Sequence, residues 1–146
     1  MEGFNITHEL AVPWGHMDAF GHVNNVRYLE YFESARIAYF EAMRILDNNA
    51  LPKGVGPILA DSYCKFIAPV TFPDRLRIGV RVNEISPRGD RFQMEYLIES
   101  ERLGRPVAVG TTVVVSLNYE TGAKCDLPEK WLTHIETIEG ELPTAS

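Results

Sequence analysis

Cysteine is nearly absent from this 146-residue chain: Cys64 and Cys125 stand far apart and form no CxxC pair. That spacing suggests neither a zinc site nor a disulfide framework. Cys64 lies in an apolar run and reads as a small buried residue, Cys125 as a surface thiol. Positive charge is also short. Lys and Arg number 14 against 20 Asp and Glu, a formal net charge of −6, which argues against a nucleic-acid partner because phosphate backbones call for a basic face. A small anionic ligand stays open, since a local pair of Arg can grip phosphate on an acidic protein. No apolar run approaches the roughly 20 residues of a membrane span. The opening Met1-Glu2-Gly3-Phe4-Asn5 lacks a basic and then apolar leader pattern, so a cytoplasmic setting without membrane contact is the expectation. Neither an internal repeat nor a linker divides the chain, which predicts one domain over residues 1–146 with its core in about residues 5–130.

What is present is periodicity, at 45% hydrophobic and 23% charged residues. Ile6, His8, Leu10, Val12 and Trp14 alternate with Thr7, Glu9 and Ala11, which predicts a strand ending at Pro13. Gly15 to Asn25 has loop composition, with Asn24 or Asn25 as N-cap. From Val26 to Leu46 the period becomes helical. Tyr28, Phe32, Ala35, Tyr39, Met43 and Leu46 form one stripe, widened by Leu29 and Phe40, with Arg27, Glu30, Ser34, Glu41 and Arg44 opposite. Asp47-Asn48-Asn49 closes that helix, and Leu51 to Pro57 reads as loop. Four strands are predicted to follow: Ile58–Ala68, Arg75–Val82, Arg91–Ile98 and Val107–Tyr119, with hairpin connections at Ser86–Asp90 and Glu101–Arg105. A short tail after Leu127-Pro128 has room for one helical turn. The order predicts an α+β domain in which four consecutive strands form an antiparallel meander covering one helix.

Polar residues concentrate in His16-Met17-Asp18-Ala19-Phe20-Gly21-His22-Val23-Asn24-Asn25, between a strand end and a helix start. Helix N-termini present unpaired N–H groups and the positive end of the helix dipole. A carboxylate nearby can serve as base or nucleophile toward a carbonyl whose oxygen points at those amides. Asp18 stands seven residues before Asn25, and Gly21 would help the loop fold back. The plainer use of an Asp before a helix is a cap or Asx-turn. His16, Asp18 and His22 also supply three metal-ligand types, but their spacing matches no specified metal motif and no clear fourth ligand follows. Trp14, Phe20, Tyr28, Tyr31, Phe32 and Tyr63 either line an apolar pocket or fill the core. Glu33 and Arg36 are spaced to pair along the helix.

The run from Trp14 to Arg36, with its Asp-x-x-Gly-His-Val-Asn-Asn string, resembles the start of the 4-hydroxybenzoyl-CoA thioesterase family of hot-dog proteins. Tyr63–Pro69, Pro73-Asp74-Arg75-Leu76, Phe92–Ile98 and Ala108–Thr112 fit the later parts, so the likeness spans about residues 5–130. It implies the hot-dog fold, a curved antiparallel sheet of about five strands around one long central helix, and hydrolysis of acyl-CoA thioesters. Asp18 matches the catalytic carboxylate, and the main-chain N–H at Asn25 matches the group that polarises the thioester oxygen. Gly21 and Asn24 belong to the same substrate-binding string. His22 matches a helper His of the similar plant acyl-ACP thioesterases, although the Asn those enzymes carry between the two is Phe20 here; a cap or packing role is the other reading. Many family members have another Asp where this chain has His16. Arg88 and Arg91 flank a Gly in a hairpin where the family often places basic residues, and are candidates for CoA phosphate, with solvated turn residues as the alternative. The resemblance also implies an acyl-CoA partner, no cofactor beyond the coenzyme A of the substrate, no metal, and a homodimer or homotetramer with sites between subunits. A non-catalytic acyl-CoA or acyl-carrier-protein binding module on the same fold is the competing function.

Overall fold

Alternation in the sequence becomes a sheet, and the long stripe becomes a helix laid across it. The computed structural model describes residues 1–45 and 54–144. Its elements are β1 (Ile6–Ala11), a 3-10 turn (Trp14–His16), α1 (Asn25–Ala42), β2 (Val55–Phe66), β3 (Arg75–Ile85), β4 (Arg91–Ser100), β5 (Arg105–Asn118) and α2 (Glu129–Glu139). The five strands form one sheet in the order β1-β3-β4-β5-β2, every neighbouring pair antiparallel. α1 packs against β1 and β3 and also against β2 at the opposite edge. One helix can touch both edges only if the sheet curls around it, which is the hot-dog arrangement.

The meander is shorter than the sequence predicts. β3, β4 and β5 pair in order, but β2 pairs with β5 rather than β3 and becomes an edge strand. Segment 67–74 carries the chain from β2 past the ends of β5 and β4 to β3, and β1 takes the edge place beside β3. β2 also starts earlier, so Val55, Gly56 and Pro57 are strand rather than loop. An edge position tolerates Pro57, whose missing N–H need not join a ladder, and the Pro57 carbonyl accepts from the Tyr119 hydroxyl at 2.6 Å. The predicted helix end at Leu46 and Asp47–Asn49, and the first residues of the following loop, lie outside the described residues.

Tyr28, Phe32, Ala35, Tyr39, Phe40 and Met43 are buried as the stripe predicts. Phe32 stacks on Tyr96 of β4 with centroids 4.5 Å apart; burying one such ring is worth roughly 1.5–3 kcal/mol. Leu29 is exposed, and Tyr31 is buried in its stead. The cause is tertiary, because the chain preceding the helix folds back and His16 stacks on the Tyr31 ring. Arg36 does not pair with Glu33. It reaches inward and donates to the Tyr96 hydroxyl at 3.2 Å, which also lies 2.7 Å from Thr112 Oγ1. Trp14 leaves the inward face and is exposed on the 3-10 turn, because Pro13 ends the alternation. The tail holds the eleven-residue α2 rather than one turn, with Trp131 and Ile135 buried, and the Tyr39 hydroxyl donates to Glu139 at 2.6 Å. Cys64 is half-buried near Tyr28, and burial pushes its thiol up to about 11. Among the described residues no helix is long and apolar enough to cross a membrane.

Candidate active site

Pro13 takes the chain out of the β1 ladder, and Val12 N–H secures the exit by donating to the Asp74 carbonyl at 2.9 Å. Two short arms then run side by side. Asn24 N–H donates to the His16 carbonyl at 2.9 Å and Asp18 N–H to the His22 carbonyl at 2.8 Å, with Met17 and Val23 bridged between them. Gly21 closes the turn with φ +80°, its N–H donating to the Asp18 carbonyl at 3.1 Å. Val23 N–H fastens the second arm to the Val70 carbonyl at 2.8 Å.

Asp18 keeps the Asx-turn role: its Oδ1 accepts from the Phe20 N–H at 2.9 Å. That bond fixes the carboxylate without neutralising it, and among the described residues no cation pairs with Asp18. Asn24 is the N-cap, its side chain accepting from the Val26 N–H at 3.1 Å. The Arg27 N–H is taken by the Asn24 carbonyl at 2.9 Å. The Asn25 N–H finds no partner among the described residues. A free amide therefore stands at the positive end of an 18-residue helix.

Asp18, His22 and Asn25 line one open cleft of about 450 Å³. Phe20 and Tyr28 form part of its wall, and Phe66 to Pro69 the rest. Phe20 is 85% exposed. Phe66 meets Tyr28 edge to face at 4.9 Å. Of the six aromatic residues considered in the sequence, Phe20 and Tyr28 face the cleft, Tyr31 and Phe32 are core, and Trp14 and Tyr63 are exposed away from it. The Phe66–Pro69 wall escaped the sequence reading. Pro69 marks a strand stop and Tyr63–Pro69 fits the family resemblance, but nothing in those residues announces that they face Asp18.

The other candidates stand apart. His16 is bonded through Nδ1 to the Tyr31 hydroxyl at 2.7 Å and does not line the cleft. Among the described residues no three His, Cys, Asp or Glu side chains gather as a metal site requires, so the His16–Asp18–His22 grouping is not assembled. Arg88 and Arg91 lie at the other end of β3, which at ~3.3 Å per residue is about 35 Å of strand away. Arg91 is engaged there by Asp90, Nε to Oδ1 at 2.8 Å and Nη2 to Oδ2 at 3.1 Å.

A carboxylate and a free helix-start amide facing one cleft suit attack on a carbonyl. The chain is 30% identical to a thioesterase from Thermus thermophilus solved with coenzyme A and Zn, covering 97% of this chain and 99% of that one with a TM-score of 0.81. A thioesterase superfamily structure from Jannaschia sp. CCS1 is 26% identical, with coverage of 97% and 87% and a TM-score of 0.84. The uncharacterized protein YsmA of Bacillus subtilis (strain 168) is 29% identical over 119 residues, 82% of this chain and 77% of YsmA. Residues 12–135, from the last buried residue before the Asp18 loop into α2, match the Thioesterase-like superfamily, and the chain belongs to it.

Proposed function

We propose that this protein hydrolyses acyl-CoA thioesters in the Asp18 cleft. The observation that carries the reading is the uncompensated Asp18 carboxylate sharing one cleft with the unpartnered Asn25 N–H. In the general-base route Asp18 takes a proton from water and the hydroxide adds to the thioester carbonyl. Its oxygen becomes an oxyanion held by the Asn25 amide and the helix dipole. Collapse breaks the C–S bond, the CoA sulfur takes up the proton, and a free acid leaves. In the nucleophilic route Asp18 itself adds to the carbonyl, CoA departs, and water opens the resulting anhydride. His22 lines the same cleft without a side-chain hydrogen bond to any described residue, and in this reading it passes the proton to the leaving thiolate. Gly21 and Asn24 shape the turn and the cap that hold these groups.

Coenzyme A in the Thermus relative supports CoA as the carrier. With about 35 Å of strand between them, Arg88 or Arg91 would serve a substrate at Asp18 from a second copy. β2 supports such a copy: it presents one unpaired edge and exposes Ile58, Leu59, Tyr63 and Phe66, a combination that pairing covers. Phe66 is also cleft wall, so a homodimer or homotetramer built on β2 would add to the site.

The test is thiol release across acyl-CoAs of short, medium, long-chain and aromatic type. Asp18→Asn should lower kcat/KM about 100-fold or more while circular dichroism and the unfolding midpoint stay put. Turnover close to wild type in that variant would overturn the assignment. Tight acyl-CoA binding without thiol release on any substrate would instead make the protein a binding module.

A further inference from the structure

His16 occupies the place where the resembling family often carries an acidic residue, and its surroundings suggest what it does instead. Its backbone carbonyl accepts from the N–H of Asn24, the cap residue directly before the Asn25 amide, at 2.9 Å. Its ring stacks on Tyr31, centroids 5.7 Å apart and 25° from parallel, and its Nδ1 lies 2.7 Å from the Tyr31 hydroxyl. Tyr31 sits seven residues into α1, about 10 Å along the axis from the cap at 1.5 Å per residue. The arm that carries Asp18 two residues later is therefore tied to α1 at two heights, once at the cap and once two turns inside the helix body. Tyr31 is buried, and burial pushes its hydroxyl up to about 12, so it remains a neutral hydrogen-bonding group across the working pH range.

We infer that His16 and Tyr31 are a positioning pair, fixing the spacing between the Asp18 carboxylate and the Asn25 amide by pinning the Asp18 arm to the body of α1. The inference rests on the thioesterase reading of the cleft. Neither side chain lines the cleft, so neither touches the reacting atoms. Each acts through Asp18. Without the tie, the arms keep their mutual backbone bonds and their link to Val70, so the fold persists, while Asp18 gains freedom relative to the helix start. Loss of near-attack geometry then lowers kcat far more than KM.

The experiment compares Tyr31→Phe, His16→Ala, His16→Asn and Asp18→Asn in the full chain, with the best acyl-CoA from the panel. Tyr31→Phe keeps the stacked ring and removes only the hydroxyl; it should lower kcat about tenfold with KM within about twofold and the unfolding temperature within about 3 °C. His16→Ala should lower kcat further, and combining it with Tyr31→Phe should add little, because both break one link. His16→Asn places a polar atom near the Nδ1 position and should recover much of the loss. Unchanged kcat in both Tyr31→Phe and His16→Ala would overturn the positioning role. So would a fall in kcat that tracks the unfolding temperature and is not recovered by His16→Asn. Asp18→Asn separates the two levels. If it is inactive while the His16 and Tyr31 variants are unaffected, only the positioning claim fails; if it is active, the site reading itself fails.

Discussion

Two turns of this molecule each carry an aspartate and a glycine with positive φ, and they sit at opposite ends of β3. In the turn after β1, Asp18 precedes Gly21 at φ +80°; in the β3–β4 hairpin, Asp90 follows Gly89 at φ +78°. Both aspartates use backbone to fix the turn: Asp18 N–H donates to His22, and the Asp90 carbonyl accepts from Ser116 at 2.8 Å. The carboxylates differ. Arg91 grips Asp90 with two nitrogens, and that hydrogen bond holds its carboxyl below the usual value. Asp18 has one amide on Oδ1 and an open cleft in front of it. An Asp–Gly turn is therefore not itself a site. A carboxylate whose charge is already matched serves the fold, whereas one left unmatched beside a free helix-start amide can do chemistry.

The largest effect expected from breaking this contrast is on turnover. Asp18→Asn should remove about 100-fold or more of kcat/KM, and Asp90→Asn, chemically the same change, should leave it within about twofold. Steady-state thiol release on one substrate measures both. Comparable losses in the two variants would mean that the turns contribute alike and that the cleft assignment is wrong.

How far this contrast was legible in the sequence depends on the range of the interactions involved. The Asp18 string was readable because its whole apparatus (carboxylate, turn glycine, cap and helix start) falls within the single run from Asp18 to Asn25. The helix stripe was readable for the same reason, and Tyr28, Phe32, Ala35, Tyr39 and Met43 follow it into the core. The failures involve contacts that no local period encodes. Leu29 and Tyr31 exchanged places because His16 folds back onto α1, and β2 reached the far edge because its partner β5 lies beyond two intervening strands. Arg88 and Arg91 suited phosphate by residue type. Only the topology shows that they occupy the opposite end of the sheet and that one of them already holds a carboxylate.

A smaller effect separates the two glycines. A Cβ at Gly21 would meet nothing within 4 Å, and one at Gly89 only Asp126 Oδ1 at 3.9 Å, so space does not distinguish them. Both are left-handed, and alanine there should cost each turn roughly 1–2 kcal/mol. Gly21→Ala and Gly89→Ala should therefore move the urea midpoint by similar amounts. Only Gly21→Ala should also lower kcat, by about tenfold, because its turn orients Asp18. Equal kcat values in the two variants would show that the Asp18 carboxylate tolerates a relaxed turn.

The smallest effect is in the pH dependence of stability, and it belongs to the far turn. Arg91 lowers the Asp90 pKa in the folded state from its ordinary value of 3.8. A depressed folded-state pKa means that the unfolded chain binds the proton more readily. The stabilisation is thus fully present above about pH 4 and disappears as the pH falls through the lower, folded-state value. The pair is near the surface, where solvent screens it, so the contribution is modest. At pH 7 Asp90→Asn should unfold at a slightly lower urea concentration than the wild type, and the gap should narrow when the same titration is run near pH 3. High salt at pH 7 should narrow it as well, since screening weakens the charge pair. A gap that stays constant from pH 7 to pH 3 would place the cost of the substitution in turn geometry rather than in charge. The Asp90–Arg91 pair would then no longer explain why this carboxylate, unlike Asp18, is withdrawn from chemistry.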